Sequence, residues 1–150
     1  MAASGKELRK IAKARLKTAK ILLEAGDWNG SVYMMGYALE CALKASACKA
    51  LHLTTYPENT RNEKIDTYFM THKFDQLLIV SGLSDIFGFK GKSEAFRNWS
   101  EFTIEYPGDW PSMRYDPKLR WDEVKTRKLY NNLVDLSNGV IATIKRRHKW

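Results

Sequence analysis

The chain is poor in cysteine and histidine, and it lacks a long apolar run free of charge. Its two cysteines, Cys41 and Cys48, stand seven positions apart. On one helix that separation is about 10.5 Å, too far for a disulfide. They are expected to be buried thiols in a reducing compartment. No Cys/His cluster has zinc-ligand spacing, so no metal is expected, and no motif asks for a cofactor. No internal repeat, low-complexity tract or strand hairpin is present, which excludes repeat and β architectures. The first residues hold no apolar signal region. The run from 31 to 51 is long enough to span a bilayer, but Glu40, Lys44 and Lys49 inside it oppose insertion. The expectation is a soluble cytoplasmic protein with no membrane contact.

What is present fits a single helical domain over residues 1–150. That length buries one core without staples. Hydrophobic residues make up 44% and charged residues 28%, the balance of a globular chain. Lys and Arg total 25 against 17 acids, a net charge of +8. Such an excess favours nucleic acid, a nucleotide or an acidic protein as partner. A solvated lysine face on the first helix would account for it equally.

The organising stretch is Ser31 to Leu51, SVYMMGYALECALKASACKAL. Tyr33, Gly36, Tyr37, Glu40, Leu43, Lys44 and Ala47 share one helical stripe. Val32, Met35, Leu39, Ala42, Ser46 and Ala50 line the other side. A helix apolar on two sides should be central. Glu40 and Lys44 are then either a helix-surface ion pair or a structural polar pair in a buried seam.

Around it, Ser4 and Glu7 fit a capping box, opening a helix that ends at Gly26. Asp27 to Gly30 is a tight link into the central helix, expected over Trp28–His52, and implies an antiparallel hairpin. From Leu53 to Met70 a loop is expected, with a short turn near Lys64–Phe69. Thr71 suits the N-cap of a helix from His72 to Val80. Ser84 to Gly91 reads as a connector carrying Phe87 and Phe89. Ser93 to Ile104 reads as a helix with Phe96, Trp99 and Ile104 inward. Tyr106 to Asp116 is irregular. Asp122 to Arg147 reads as one long last helix, its terminal charges matched to the macrodipole. The sum is all-α, an up-and-down bundle of four to five helices.

Several pieces then line up in order: the Leu22–Trp28 turn, the run GYALECALKA, the segment THKFDQLL, and Trp99 and Trp110 leading to Arg114 and Tyr115. This order resembles the HEPN domain family (higher eukaryotes and prokaryotes nucleotide-binding), over residues 12 to 137. The resemblance implies a helical bundle that forms a homodimer. It also implies nucleotide or RNA binding and, in paired toxin–antitoxin or defence modules, a minimal nucleotidyltransferase as partner. Active members resemble metal-independent ribonucleases marked by Arg, four to six residues, then His. Here His52, His72 and His148 have no Arg at that spacing. The departure points to a binding module. The alternatives are a ribonuclease with a divergent site, using His72, Arg114 and Tyr115, and a structural interaction protein.

The residues themselves offer three places to look. His72 could titrate in a cleft and pair with Asp75, or be structural. Trp110, Arg114, Tyr115, Arg120 and Trp121 mix stacking surfaces with guanidinium groups, as single-stranded nucleic acid binding requires; cation–π packing onto a core uses the same residues. Arg146 and Arg147 could contact phosphate, and would share one basic surface with the Trp110–Arg120 loop.

Overall fold

The computed structural model describes residues 2–88, 93–118 and 120–150. Helix α1 (Gly5–Glu24) opens on the expected reciprocal cap. Ser4 Oγ accepts from the Glu7 N–H at 3.1 Å, and the Glu7 carboxylate accepts from the Ser4 N–H at 3.0 Å. Gly26 takes the left-handed conformation, φ 81°, which a side chain would resist. Asp27 then caps α2 (Trp28–Ala50), accepting from the Gly30 N–H at 2.9 Å. So short a link folds α1 and α2 into a hairpin packed along its length.

Helix α2 is the central element, packed against helices from both halves of the chain. Val32, Met35, Leu39, Ala42 and Leu43 are fully buried. Ser31 Oγ donates to the Ala19 carbonyl at 2.7 Å, joining the hairpin with a satisfied buried hydroxyl. Cys41 and Cys48 are free, buried thiols.

The following stretch holds more helix than its sequence pattern suggested. α3 (Glu63–Phe69) is capped by Asn62, whose Oδ1 accepts from the Lys64 and Ile65 N–H groups. α4 (Phe74–Ser81) starts two residues later than expected. Thr71 Oγ1 accepts from the Lys73 N–H at 3.1 Å, forming a local turn that leaves His72 outside the helix. The expected connector contains a short α5 (Ser84–Phe87); Phe89 lies outside the described residues.

α6 (Glu94–Glu105) is capped by Ser93. Its buried stripe is Ala95, Asn98, Trp99 and Phe102, continued by Tyr106. Ile104 falls two positions past that stripe and is 80% exposed, a correction to its expected inward place. A 3₁₀-helix follows over Trp110–Tyr115, with Pro111 in its first turn, where a missing N–H does no harm.

The single last helix is also corrected: the chain forms α7 (Glu123–Val134) and α8 (Val140–His148). Asp135 Oδ2 accepts from the Asn138 N–H at 2.9 Å, turning the backbone locally. Leu136, which lies in this turn, is 87% exposed. A Cβ on Gly139 would stand 2.5 Å from the Asp135 nitrogen and 2.6 Å from the Leu133 carbonyl oxygen, so the turn needs glycine there. The apolar period survives this break because α8 continues it after the turn. Helix dominates, and no strand occurs among the described residues beyond an isolated Ser4–Thr55 bridge. Buried apolar side chains contributed from Leu8 through to Ile144 form one hydrophobic cluster.

Candidate functional site

A buried polar feature is built on one face of α2, the central helix. Glu40 is buried, its side chain 9% exposed, with Lys44 Nζ 3.3 Å from Oε2 one turn on. The other carboxylate oxygen meets Nδ1 of His72. A carboxylate accepts, which places the ring proton on Nδ1 and leaves Nε2 to interact outward. His72 is therefore partnered by Glu40 and not by Asp75, whose carboxylate accepts from the Gln76 N–H at 2.9 Å. The late start of α4 is what frees His72 to reach α2.

Aromatic rings extend this cluster. Trp110 Nε1 donates to the His72 carbonyl at 3.0 Å, and its ring lies edge-on to the imidazole at 5.8 Å. Tyr33, one turn from Gly36 on α2, packs on Trp110 at 5.5 Å. Gly36 lets this happen: a Cβ there would run into the Tyr106 hydroxyl and come within 3.0 Å of Trp110. Tyr106 donates instead to the Val32 carbonyl. Arg114 Nη1 donates to the Tyr33 hydroxyl at 3.4 Å and stacks on Tyr115 at 4.8 Å. His72 and Arg114 thus flank one aromatic wall.

Two clefts meet at His72. One, about 440 Å³, is lined by Lys44, Tyr56, Thr71 and His72 among others. The second, about 580 Å³, runs past His72, Asp75, Asp109 and Trp110. Lys44 Nζ lies 5.0 Å over the Tyr56 ring, and Tyr56 donates to the Phe69 carbonyl at 2.8 Å. Burial, followed by the Glu40 charge, pushes the Tyr56 hydroxyl up. Burial raises the Tyr106 hydroxyl too. These phenols stay protonated and act as donors.

The remaining sequence candidates divide. Trp110 is 2% exposed and belongs to the core, so it offers no stacking platform; Tyr115, 76% exposed, does. Trp121 is also buried. Arg120 pairs with Asp116 at 3.3 Å, and its N–H is held by Asn29 Oδ1 at 3.2 Å. Arg146 donates to the Leu136 and Ser137 carbonyls, both at 2.6 Å. Arg147 pairs with Asp85 at 3.0 Å. Among the described residues, the cleft that His148 and Trp150 line and the cleft that Trp110 lines have no residue in common. Tyr33 and Asn29 were not singled out in the sequence. The stripe through Glu40 contains Tyr33; nothing local marks Asn29, whose partners are about ninety residues away.

α1, α2 and the loop beyond them carry the helix-turn-helix and the GYALECALKA run. Residues 6–57 match the HEPN domain family. The HEPN recognition made from the sequence is borne out over this stretch, which includes Tyr33, Glu40 and Lys44. His72 and Arg114 lie beyond it. Neither a curated protein nor a solved structure matches the chain. No group of side chains that could hold a metal ion occurs among the described residues. No helix among them is long and apolar enough to cross a membrane.

Proposed function

We propose that this chain is a single cytoplasmic HEPN-type domain acting as a homodimeric binding module for nucleotide or RNA. What carries the reading is the aromatic wall flanked by His72 and Arg114. An imidazole held at one nitrogen by Glu40 can meet a ligand group with the other. A guanidinium fork suits phosphate, and exposed Tyr115 suits a base. For an RNA oligonucleotide, affinity falls with rising salt, and Arg114→Ala lowers the logarithmic salt slope by about one contact. Binding insensitive to both salt and Arg114→Ala would remove the reading.

The dimer is supported by apolar surface away from α2, where Ile79 on α4 and Ile104 on α6 line one exposed cleft. A well-folded monomer at micromolar concentration in sedimentation would count against it. In a toxin–antitoxin or defence pair the partner would be a nucleotidyltransferase, tested by co-purification.

The second reading, a metal-independent ribonuclease, draws on the Glu40–His72 contact. A carboxylate that fixes an imidazole is the arrangement of a general acid or base, and Arg114 could stabilise phosphate charge. Cleavage of bulk RNA in chelator that His72→Ala abolishes would favour this reading over binding alone.

A further inference from the structure

A second cationic place lies at the other end of α2. Helix α2 turns back through His52, φ 55°, with the Leu53 N–H bonded to the Cys48 carbonyl at 2.8 Å. Helix α8 ends the same way: Lys149 is left-handed at φ 52°, and the Trp150 N–H bonds to the Lys145 carbonyl at 3.1 Å. Such caps fold the following residue back on its helix. Together they gather Lys49, His148 and Trp150 beside the first turns of α1. The cleft between them is about 320 Å³ and also takes in Lys6 and Arg9. No acidic side chain among the described residues lines it.

Helix capping explains part of this charge. Lys49 Nζ donates to the His148 carbonyl at 2.9 Å, a cation at the C-terminus of α8, where the dipole favours it. The same physics disfavours Lys6, in the first turn of α1, and Arg9 follows one turn on. Lys13 and Lys145 add charge nearby, 5.8 and 6.0 Å from the Trp150 ring centre. Lys6, Arg9, Lys13, Lys49 and Lys145 form no ion pair among the described residues. Burial acts on two groups here, and repulsion adds to it. Burial and then Lys13 pull the Lys145 ammonium down. Burial and then Lys49, Arg147 and Arg9 pull the His148 imidazole down. His148 Nε2 is itself buried, with no hydrogen-bond partner among the described residues. A buried polar atom without a partner is costly, and a cleft of uncompensated cations is costly as well. One anion would relieve both.

We propose that this cleft binds a phosphate group, monoester or diester, between Lys6, Arg9, Lys49 and His148. The site shares no lining residue with the His72 clefts and stands independently of the function proposed there. Bound phosphate would accept from the cations and from His148 Nε2, which then holds its proton to higher pH against Arg9, Lys49 and Arg147.

The test titrates the whole protein with inorganic phosphate, adenosine monophosphate and an RNA oligonucleotide, following the His148 imidazole by NMR. Expected is a shift of its ring-nitrogen resonances and a rise in its protonation midpoint. Lys6→Ala plus Arg9→Ala should weaken binding at least about tenfold, as loss of a charge-assisted hydrogen bond does. Lys17→Ala plus Lys20→Ala, the same charge change on the exposed face of α1, should leave it within about twofold, since distant exposed charges are screened. Both pairs lie on exposed or half-buried helix positions, and circular dichroism checks that the variants fold. A response to the mononucleotide alone assigns the site to free nucleotides; a response to the oligonucleotide alone assigns it to RNA. No response of His148 to any of the three probes, or equal loss in both double variants, overturns the proposal. Neither result bears on Arg114 or His72, so the two sites fail separately.

Discussion

At the scale of single residues, Gly36 governs how the site is assembled. Glycine inside a helix gives up about 1 kcal/mol relative to alanine, so propensity alone favours Gly36→Ala. Packing opposes it, because the added methyl meets the Tyr106 hydroxyl and the Trp110 ring. Both neighbours are buried, and overpacking a filled core costs about 1–3 kcal/mol. The net expectation is a loss of up to about 2 kcal/mol, read as a lower urea midpoint with unchanged slope. Arg114 should lose its contact with Tyr33 in the same variant, since Tyr33 packs on Trp110. Glu40 is a different case. Its apolar surroundings along the chain made a buried role readable, yet its second partner, His72, lies thirty-two positions away. Asp75 was the nearer guess because only local spacing is visible in a sequence. His72 is also 58% exposed, so its contact with Glu40 adds less stability than a fully buried pair would.

At the scale of elements, the turn between α7 and α8 makes a sharp contrast between two substitutions. Gly139→Ala would press a methyl against backbone atoms of Leu133 and Asp135, which have no rotamer to yield. A loss of about 2–3 kcal/mol is expected. Arg146→Ala removes three hydrogen bonds, two of them to carbonyls of the same turn. Those groups are exposed and water replaces the guanidinium, so about 1 kcal/mol or less is expected. Thermal denaturation of the two variants side by side checks the order. The break itself was hidden in the sequence. Leu129, Leu133, Val140 and Ile144 keep a helical period across it, and only Asp135 and Gly139 record the interruption. By contrast, the α1–α2 hairpin was fully legible, because Ser4, Glu7, Gly26 and Asp27 each act on neighbours within five positions. Legibility here tracks the sequence distance of the interaction. The Asn29 contacts and the meeting of His72 with Trp110 depend on long-range packing, which local pattern does not encode.

At the scale of the whole molecule, stability should depend on pH from both sides. Cys41 has an ordinary thiol value of 9.0, and burial, with Glu40 behind it, pushes it to about 12. The unfolded chain therefore binds fewer protons above pH 9, and stability falls as pH rises from about 9 toward 12. Tyr56 and Tyr106 act in the same direction, while Lys145, lowered from 10.5, opposes them. His148, lowered from 6.5, gives the opposite arm: the unfolded chain takes its proton first, and stability falls as pH drops below about 6.5. Melting temperature against pH should show both arms. Cys41→Ala should flatten the alkaline one by up to about 1.4 kcal/mol per pH unit, and His148→Gln should flatten the acidic one.

The same shielding has a practical use. Alkylating reagents attack the thiolate, and only where they can reach it. In the folded chain Cys41 and Cys48 are buried and their thiols are held protonated by that burial. Iodoacetamide would therefore modify them only during moments when the middle of the bundle comes apart. The pace of mass gain in dilute reagent becomes a clock for those openings, run on the native sulfur atoms without an introduced label.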